Sequence, residues 1–252
     1  MKLLHIETSG VNCSVALTDN DTILATKAQN AGHFTHSENL HLFIETVMTT
    51  AGVPLSSLDA IAVSAGAGSY TGLRIGVATA KGLCFALGKP LIGIPTLQIL
   101  AHQVAADCII PMLDARRMEV YSAVFDSEYR FVSPTEAKIL DADSYKEYLD
   151  KGKVTFLGDG STKFATICQH PNATFIAGAF PEAKDMIPFA IEKYKAADFE
   201  DIAYFEPTYL KSSCTLASSL FLESLLLAKN VWNNFFISFS SFSTPAYLEK
   251  FL

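Results

Sequence analysis

Charge is what this sequence is shortest of. Charged side chains make up 18% of its 252 residues, and apolar ones 50%. That balance buries a sizeable core and excludes a disordered chain. Positive charge is the scarcer sign: 19 Lys and Arg face 26 Asp and Glu, for a net charge of -7. Such a chain gains no general hold on nucleic acid from counterion release, so tight DNA or RNA binding needs a basic partner. Cysteine patterning is absent as well. Cys13, Cys84, Cys108, Cys168 and Cys214 are odd in number, scattered and never in CxxC spacing. This speaks against a disulfide framework or a zinc site, and for reduced thiols in a cytoplasmic protein. No apolar run reaches the ~20 residues of a membrane span. Met1–Ile6 meets Glu7 at once, unlike a signal peptide. The length suits one large domain or two small ones.

Two familiar phosphate-binding motifs are also missing from the stretch that dominates the chain, residues 59–94. It reads as a buried strand at Ile61–Ala65, a loop with Gly66, Gly68 and Gly72, a long helix to Leu87, and a second strand ending at Ile94. Leu73 and Arg74 stand where a P-loop needs Lys and Ser/Thr, and Thr71 stands where the dinucleotide fingerprint needs its third glycine. Ser69 or Thr71 is placed to cap the helix, and Gly88 with Pro90 to stop it. Small residues recur along this helix at i+4 in two stripes, Gly76/Ala80/Cys84 and Ala78/Gly82/Ala86. Interior glycines cost about 1 kcal/mol each against alanine, so something approaches closely. That something is either the chain's own sheet or a second helix.

The remaining elements follow in order. Leu3–Glu7, Val15–Thr18 and Thr22–Lys27 read as an antiparallel meander. Glu7, Thr8 and Ser9 stand at the end of its first strand, where they either face a nucleotide or metal or simply cap the turn, the second being favoured. Gly32–Thr50 reads as a helix with its approach, striped by Leu40, Phe43, Ile44, Val47 and Met48. His33, His36 and His41 crowd its start without an HExxH pattern, which favours solvated histidines over metal ligands. After a helix over Thr96–Ala106 the pattern restarts. Ile109–Leu113 and Glu119–Phe125 are strands, the latter with Glu119, Tyr121 and Ala123 outward. Arg130–Val132 and Lys138–Leu140 are short extended pieces. Asp143–Asp150 is helical, Val154–Leu157 a strand, and Ser161 caps a helix to Cys168. Ala173–Ile176 is a strand and Pro181–Tyr194 a helix. This is an α/β architecture of two related halves with a boundary near residues 100–107. Residues 212–252 differ in kind: Ala217–Lys229 reads as an apolar helix and Trp232–Phe242 as an alternating strand that would aggregate uncovered.

Six segments together carry a resemblance: HIETSG, HSENL, the AGAGSYTGLRIGVATAKGLCFALGKPLIGIPTL block, DARRMEVYSAVF, FLGDG and FEPTYL. They resemble the bacterial TsaB family, also called YeaZ, over residues 1–211. The resemblance implies an actin/Hsp70/sugar-kinase (ASKHA) fold of two βββαβα lobes, 1–105 and 106–211. It implies a non-catalytic scaffold in the formation of N6-threonylcarbamoyladenosine (t6A) at position 37 of tRNAs reading A-starting codons. The partners implied are a TsaD-type transferase, which carries the metal and the chemistry, and a TsaE-type ATPase. A homodimer forms when the chain is alone, and tRNA is met only through the complex. The implied interface is the pair of helices bearing His36, Leu40, Phe43, Ile44 and Val47 on one and Leu73, Gly76, Val77, Ala80 and Cys84 on the other. No catalytic or metal residue is implied, no cofactor is required, and ATP or ADP binds at most weakly, around Glu7, Thr8, Ser9, Gly66, Gly68 and Ser69. The alternative function is a metal-dependent peptidase or phosphotransferase of the same fold. Ala67 stands where the family often has proline. The greasy residues 212–252 also depart from the family pattern, as a shifted reading frame or a lineage extension would.

Overall fold

Three strands open the chain because short polar turns separate runs of alternating and β-branched residues. β1 (Lys2–Glu7), β2 (Asn12–Asp19) and β3 (Thr22–Asn30) pair antiparallel in sequence. α1 (His36–Ala51) then crosses to β4 (Ala60–Ser64), parallel to β1, and α2 (Tyr70–Leu87) to β5 (Leu91–Ile94), parallel to β4. The sheet order is β3-β2-β1-β4-β5. After α3 (Thr96–Ala101) the second half repeats this plan with β6 (Cys108–Asp114), β7 (Glu119–Asp126), β8 (Phe131–Ile139), α4 (Lys146–Leu149), β9 (Val154–Leu157), α5 (Ser161–Ala165) and β10 (Ala173–Ile176). Its order, β10-β9-β6-β7-β8, is the same arrangement read from the other edge. α6 (Ile187–Lys195) closes the set. Two halves of identical strand order, meander first and crossovers after, make the ASKHA fold. This computed structural model describes residues 1–30 and 36–210, with the side chains of 36–38 excepted. The expectations for His33, for the side chain of His36 and for residues 212–252 lie outside the described residues.

Both sheets are covered on two faces, which is why their central strands carry few exposed positions. α2 begins where Ser69 accepts from the Gly72 N–H at 3.3 Å and stops at Gly88, whose φ is 62°. α3 lies between the halves. Its Ile99 joins the core of the first sheet, and Leu97 and Leu100 join that of the second. The far face of the second sheet packs Tyr145, Phe156 and Phe164 beneath α4 and α5. α6 and the turn before it return to the first sheet: Met186 of that turn and Ala190 of α6 pack with Leu3, Ala60, Ala62, Ile92 and Ile94.

Several elements differ from the sequence reading. β8 is one continuous strand, not two pieces; Pro134 is tolerated because β8 is an edge. Ala123 of β7 is buried, since α3 covers the face expected to be outward. α3 ends at Ala101 and α4 is a single turn from Lys146 to Leu149. The segment expected as one helix from Pro181 is a 3-10 turn at Ala183–Met186 followed by α6. Ser161 does not cap α5; its hydroxyl donates to the Gly158 carbonyl at 2.7 Å.

Candidate functional site

The residues expected to meet a nucleotide stand at the C-terminal end of β1 and in the loop before α2, and the structure does bring them together. Register sets the arrangement: Glu7 pairs with Ser14 on β2, and Ser64 ends the neighbouring strand β4. Glu7, Thr8 and Ser9 are almost fully buried, at 0%, 0% and 2% exposure. Glu7 Oε1 accepts the Ser9 N–H at 2.6 Å, while Oε2 has no hydrogen-bond partner, nor have the Ser9 and Ser64 hydroxyls. Burial pushes the Glu7 carboxyl up to about 7, against the milder pull of the Ser9 and Ser64 groups beside it. The segment after β10 covers this end of the sheet: the Ala183 N–H donates to Ser14 Oγ at 2.9 Å, and Asn12 donates to the Pro181 carbonyl at 3.1 Å.

The glycine loop spends its close approaches on the chain itself. Gly66 has φ 105°, and a Cβ there would lie 2.6 Å from the Thr208 carbonyl oxygen. A Cβ on Gly68 would lie 2.6 Å from the Ser9 carbonyl oxygen, which accepts the Ser69 N–H at 2.7 Å. Among the described residues, two open clefts stand out at the border of the fold. One of about 640 Å³ is lined by Ala65, Gly93 and Pro95 with Tyr204, Phe205 and Glu206. The other, about 510 Å³, is lined by Asn12, Gln103, Phe180 and Asp185 among others. Neither is lined by Glu7, Ser9 or Ser69.

The helix pair shows a second arrangement that the sequence reading placed on the wrong side. Leu40, Phe43, Ile44 and Val47 of α1 are buried, as are Leu73, Gly76, Val77, Ala80 and Cys84 of α2. A Cβ on Gly76 would collide with Thr8 Oγ1 and touch Val63. The stripe Gly76/Ala80/Cys84 therefore faces the chain's own interior, and the expectation of a foreign helix along it is corrected. The other small stripe is the outer one: Ala78 and Ala86 are exposed, Gly82 half-buried, and Phe85 beside them is 80% exposed. On α1 the outer face carries Leu42, 48% exposed, with Glu45, Thr46 and Thr49. Among the described residues no group of three or more His, Cys, Asp or Glu is placed to hold a metal, and no helix is long and apolar enough to cross a membrane.

In the second half, the hairpin matching Thr8–Val11 is Ala115–Met118, a polar turn to which the sequence reading gave no role. Here Asp114 is bound from three sides. Its N–H donates to Asp159 at 2.9 Å, and its carboxylate accepts the Arg116 N–H at 2.6 Å and Lys163 Nζ at 2.6 Å. Burial raises the Asp159 pKa.

Residues 30–219 match the model of the family described as TsaD, tRNA N6-adenosine threonylcarbamoyltransferase. The tRNA threonylcarbamoyladenosine biosynthesis protein TsaB of Escherichia coli K12 is 28% identical over 229 residues, covering 84% of this chain and 96% of that one. The chain belongs to the TsaB branch of the TsaD family. TsaB of Haemophilus influenzae is 26% identical over 85% of this chain and 95% of its own. A crystal structure from Pseudomonas aeruginosa, of an uncharacterized protein with similarity to peptidase YEAZ, superposes with TM-score 0.75. It is 26% identical and covers 83% of this chain and 99% of that one.

Proposed function

We propose that this chain acts in t6A biosynthesis as a non-catalytic subunit that pairs with a TsaD-type transferase and activates it. The observation that carries the pairing is the outer face of α2. Small residues Ala78 and Gly82 there leave room for a second helix beside Phe85, a large apolar side chain 80% exposed to water. An aromatic side chain beside small residues is the kind of anchor on which interface binding energy concentrates once a partner covers it. The matching outer face of α1, with Leu42, extends the surface. The chemistry then belongs to the partner, in the cytoplasm, with a TsaE-type ATPase as the third member. The same outer face would serve a homodimer when the transferase is absent. The buried, internally bonded Glu7 supports this reading over a phosphotransferase, whose acidic groups must reach a nucleotide-bound metal. We infer no cofactor requirement for this chain, and weak ATP or ADP binding would have to open the strand end over Glu7.

The test is pairing with a TsaD-type transferase on size exclusion, coupled to tRNA modification by the mixture. Phe85→Ala should weaken the complex at least about 30-fold, an anchor being worth about 2 kcal/mol or more. Ala78→Arg should abolish it, with the thermal midpoint of the isolated chain unchanged. Both variants forming the wild-type complex would overturn the assignment.

A further inference from the structure

The Ala115–Met118 hairpin carries the feature that the scaffold reading leaves unused. Arg116 and Arg117 both have left-handed backbones, with φ 72° and 51°. A turn with two such residues is most easily made by Asn-Gly, so its side chains are not there for the turn's sake. Both arginines are exposed. The sequence has four arginines. Arg130 pairs with Asp126 and Glu128, and Arg74 lies over the Tyr70 ring at 4.2 Å. Among the described residues Arg116 and Arg117 make no ion pair. The carboxylate nearest Arg116 in sequence, Asp114, is already committed to Lys163 and to a backbone N–H, and no ion pair joins Glu119, two residues beyond Arg117, to either arginine. The matching hairpin of the first half carries no charge and is tucked in, with Thr8 and Ser9 buried. The two halves thus share a topology, and only the second presents cations at this tip.

We propose that Arg116 and Arg117 form a finger that grips phosphates of the tRNA backbone. This rests on the t6A reading above. A guanidinium offers a planar fork of donors that matches phosphate oxygens, and an unpaired one gives up no ion pair on binding. Contacts of this kind position an RNA without reading its sequence, which suits one complex that serves many tRNAs. On a chain of net charge -7, electrostatics restrict the approach of RNA to such a projecting tip, while the partner supplies the rest of the binding surface. Phosphodiester, and not an acidic protein surface, is the favoured occupant because the family's substrate is RNA.

The test uses glycine, which removes the charge and accepts the left-handed backbone, so the variants fold. Arg116→Gly, Arg117→Gly and the double variant are compared with wild type in two arms. In the first, the isotope-labelled full chain is titrated with unmodified tRNA at about 50 mM salt and followed by NMR. Shifts confined to residues 114–119 should appear, and should vanish in the double variant. In the second, the complex with the transferase binds labelled tRNA across a salt series. Each arginine lost should lower the slope of log K against log salt by about one. Between about 50 and 200 mM salt the wild type should then weaken about tenfold more than the double variant. Wild-type slopes and shifts in the double variant would overturn the proposal. So would shifts produced by ATP alone and not by tRNA, or variants that lose the transferase and keep tRNA. If the wild-type chain never pairs with the transferase, the scaffold reading fails, and the first arm still decides the finger.

Discussion

Gly76→Ala separates the two possible duties of the small stripe on α2 by the sign of its effect. In an open helix the substitution stabilises by about 1 kcal/mol, through backbone entropy and propensity. Here the new methyl collides with Thr8 Oγ1 and touches Val63 Cγ2 at 3.5 Å. Thr8 must rotate, and its hydroxyl then leaves the Gly72 carbonyl that it donates to at 2.8 Å. A buried hydroxyl without a partner costs about 1–3 kcal/mol, and overpacking a tight site about 1–3 more. Against the gain in propensity, the net loss is roughly 3 kcal/mol. For a folded unit of this size that lowers the thermal midpoint by about 6–12 °C. Calorimetry of the isolated chain reads it directly. Thr8→Ala in the same chain removes the obstructing oxygen, so the double variant should recover most of the loss, a coupling visible in a double-mutant cycle. An unchanged or raised midpoint for Gly76→Ala alone would refute the packing argument and return the stripe to the surface.

Two further outcomes follow from other contacts. Glu7 has a folded pKa of about 7 against 4.5 when free, so between those values the folded chain holds the extra proton. Stability then falls as pH rises through that window, by at most about 3 kcal/mol. Glu7→Gln should flatten this part of a urea-midpoint profile between pH 5 and 8, and equal slopes in both proteins would sink the assignment. Lys81 holds the carbonyls of Ala203 and Phe205 at 3.3 and 3.0 Å; Lys81→Ala should speed amide exchange and proteolysis at residues 203–206, and wild-type protection there would refute the clamp.

Much of the fold is legible in the sequence because its punctuation is local. The ends of α2 are written in Ser69 and Gly88, and β9 and β10 run over the residues that their alternation predicts. The direction of α2 is not written so plainly. Two small stripes share one helix, and glycine spacing alone does not say which turns inward. Leu73, Val77 and Leu83 carry the missing signal, since large apolar residues mark the buried side and all three are buried with Gly76. The burial of Glu7 escapes sequence reading for another reason. A carboxylate at a strand end reads as exposed until a later segment, here 181–186, is known to cover it. The same long-range packing hides Ala123 under α3, and an edge position makes Pro134 harmless in a strand that its ring would otherwise divide.

α6 lies on the first sheet although it is encoded after the second. A nascent chain emerging from the ribosome has made β1, β4 and β5 long before Met186 and Ala190 exist to cover Leu3, Ala60 and Ile92. Until roughly the last of these residues clears the exit tunnel, one greasy side of the early lobe stays bare and open to aggregation. Cutting the gene between the two repeats would therefore not yield two soluble halves.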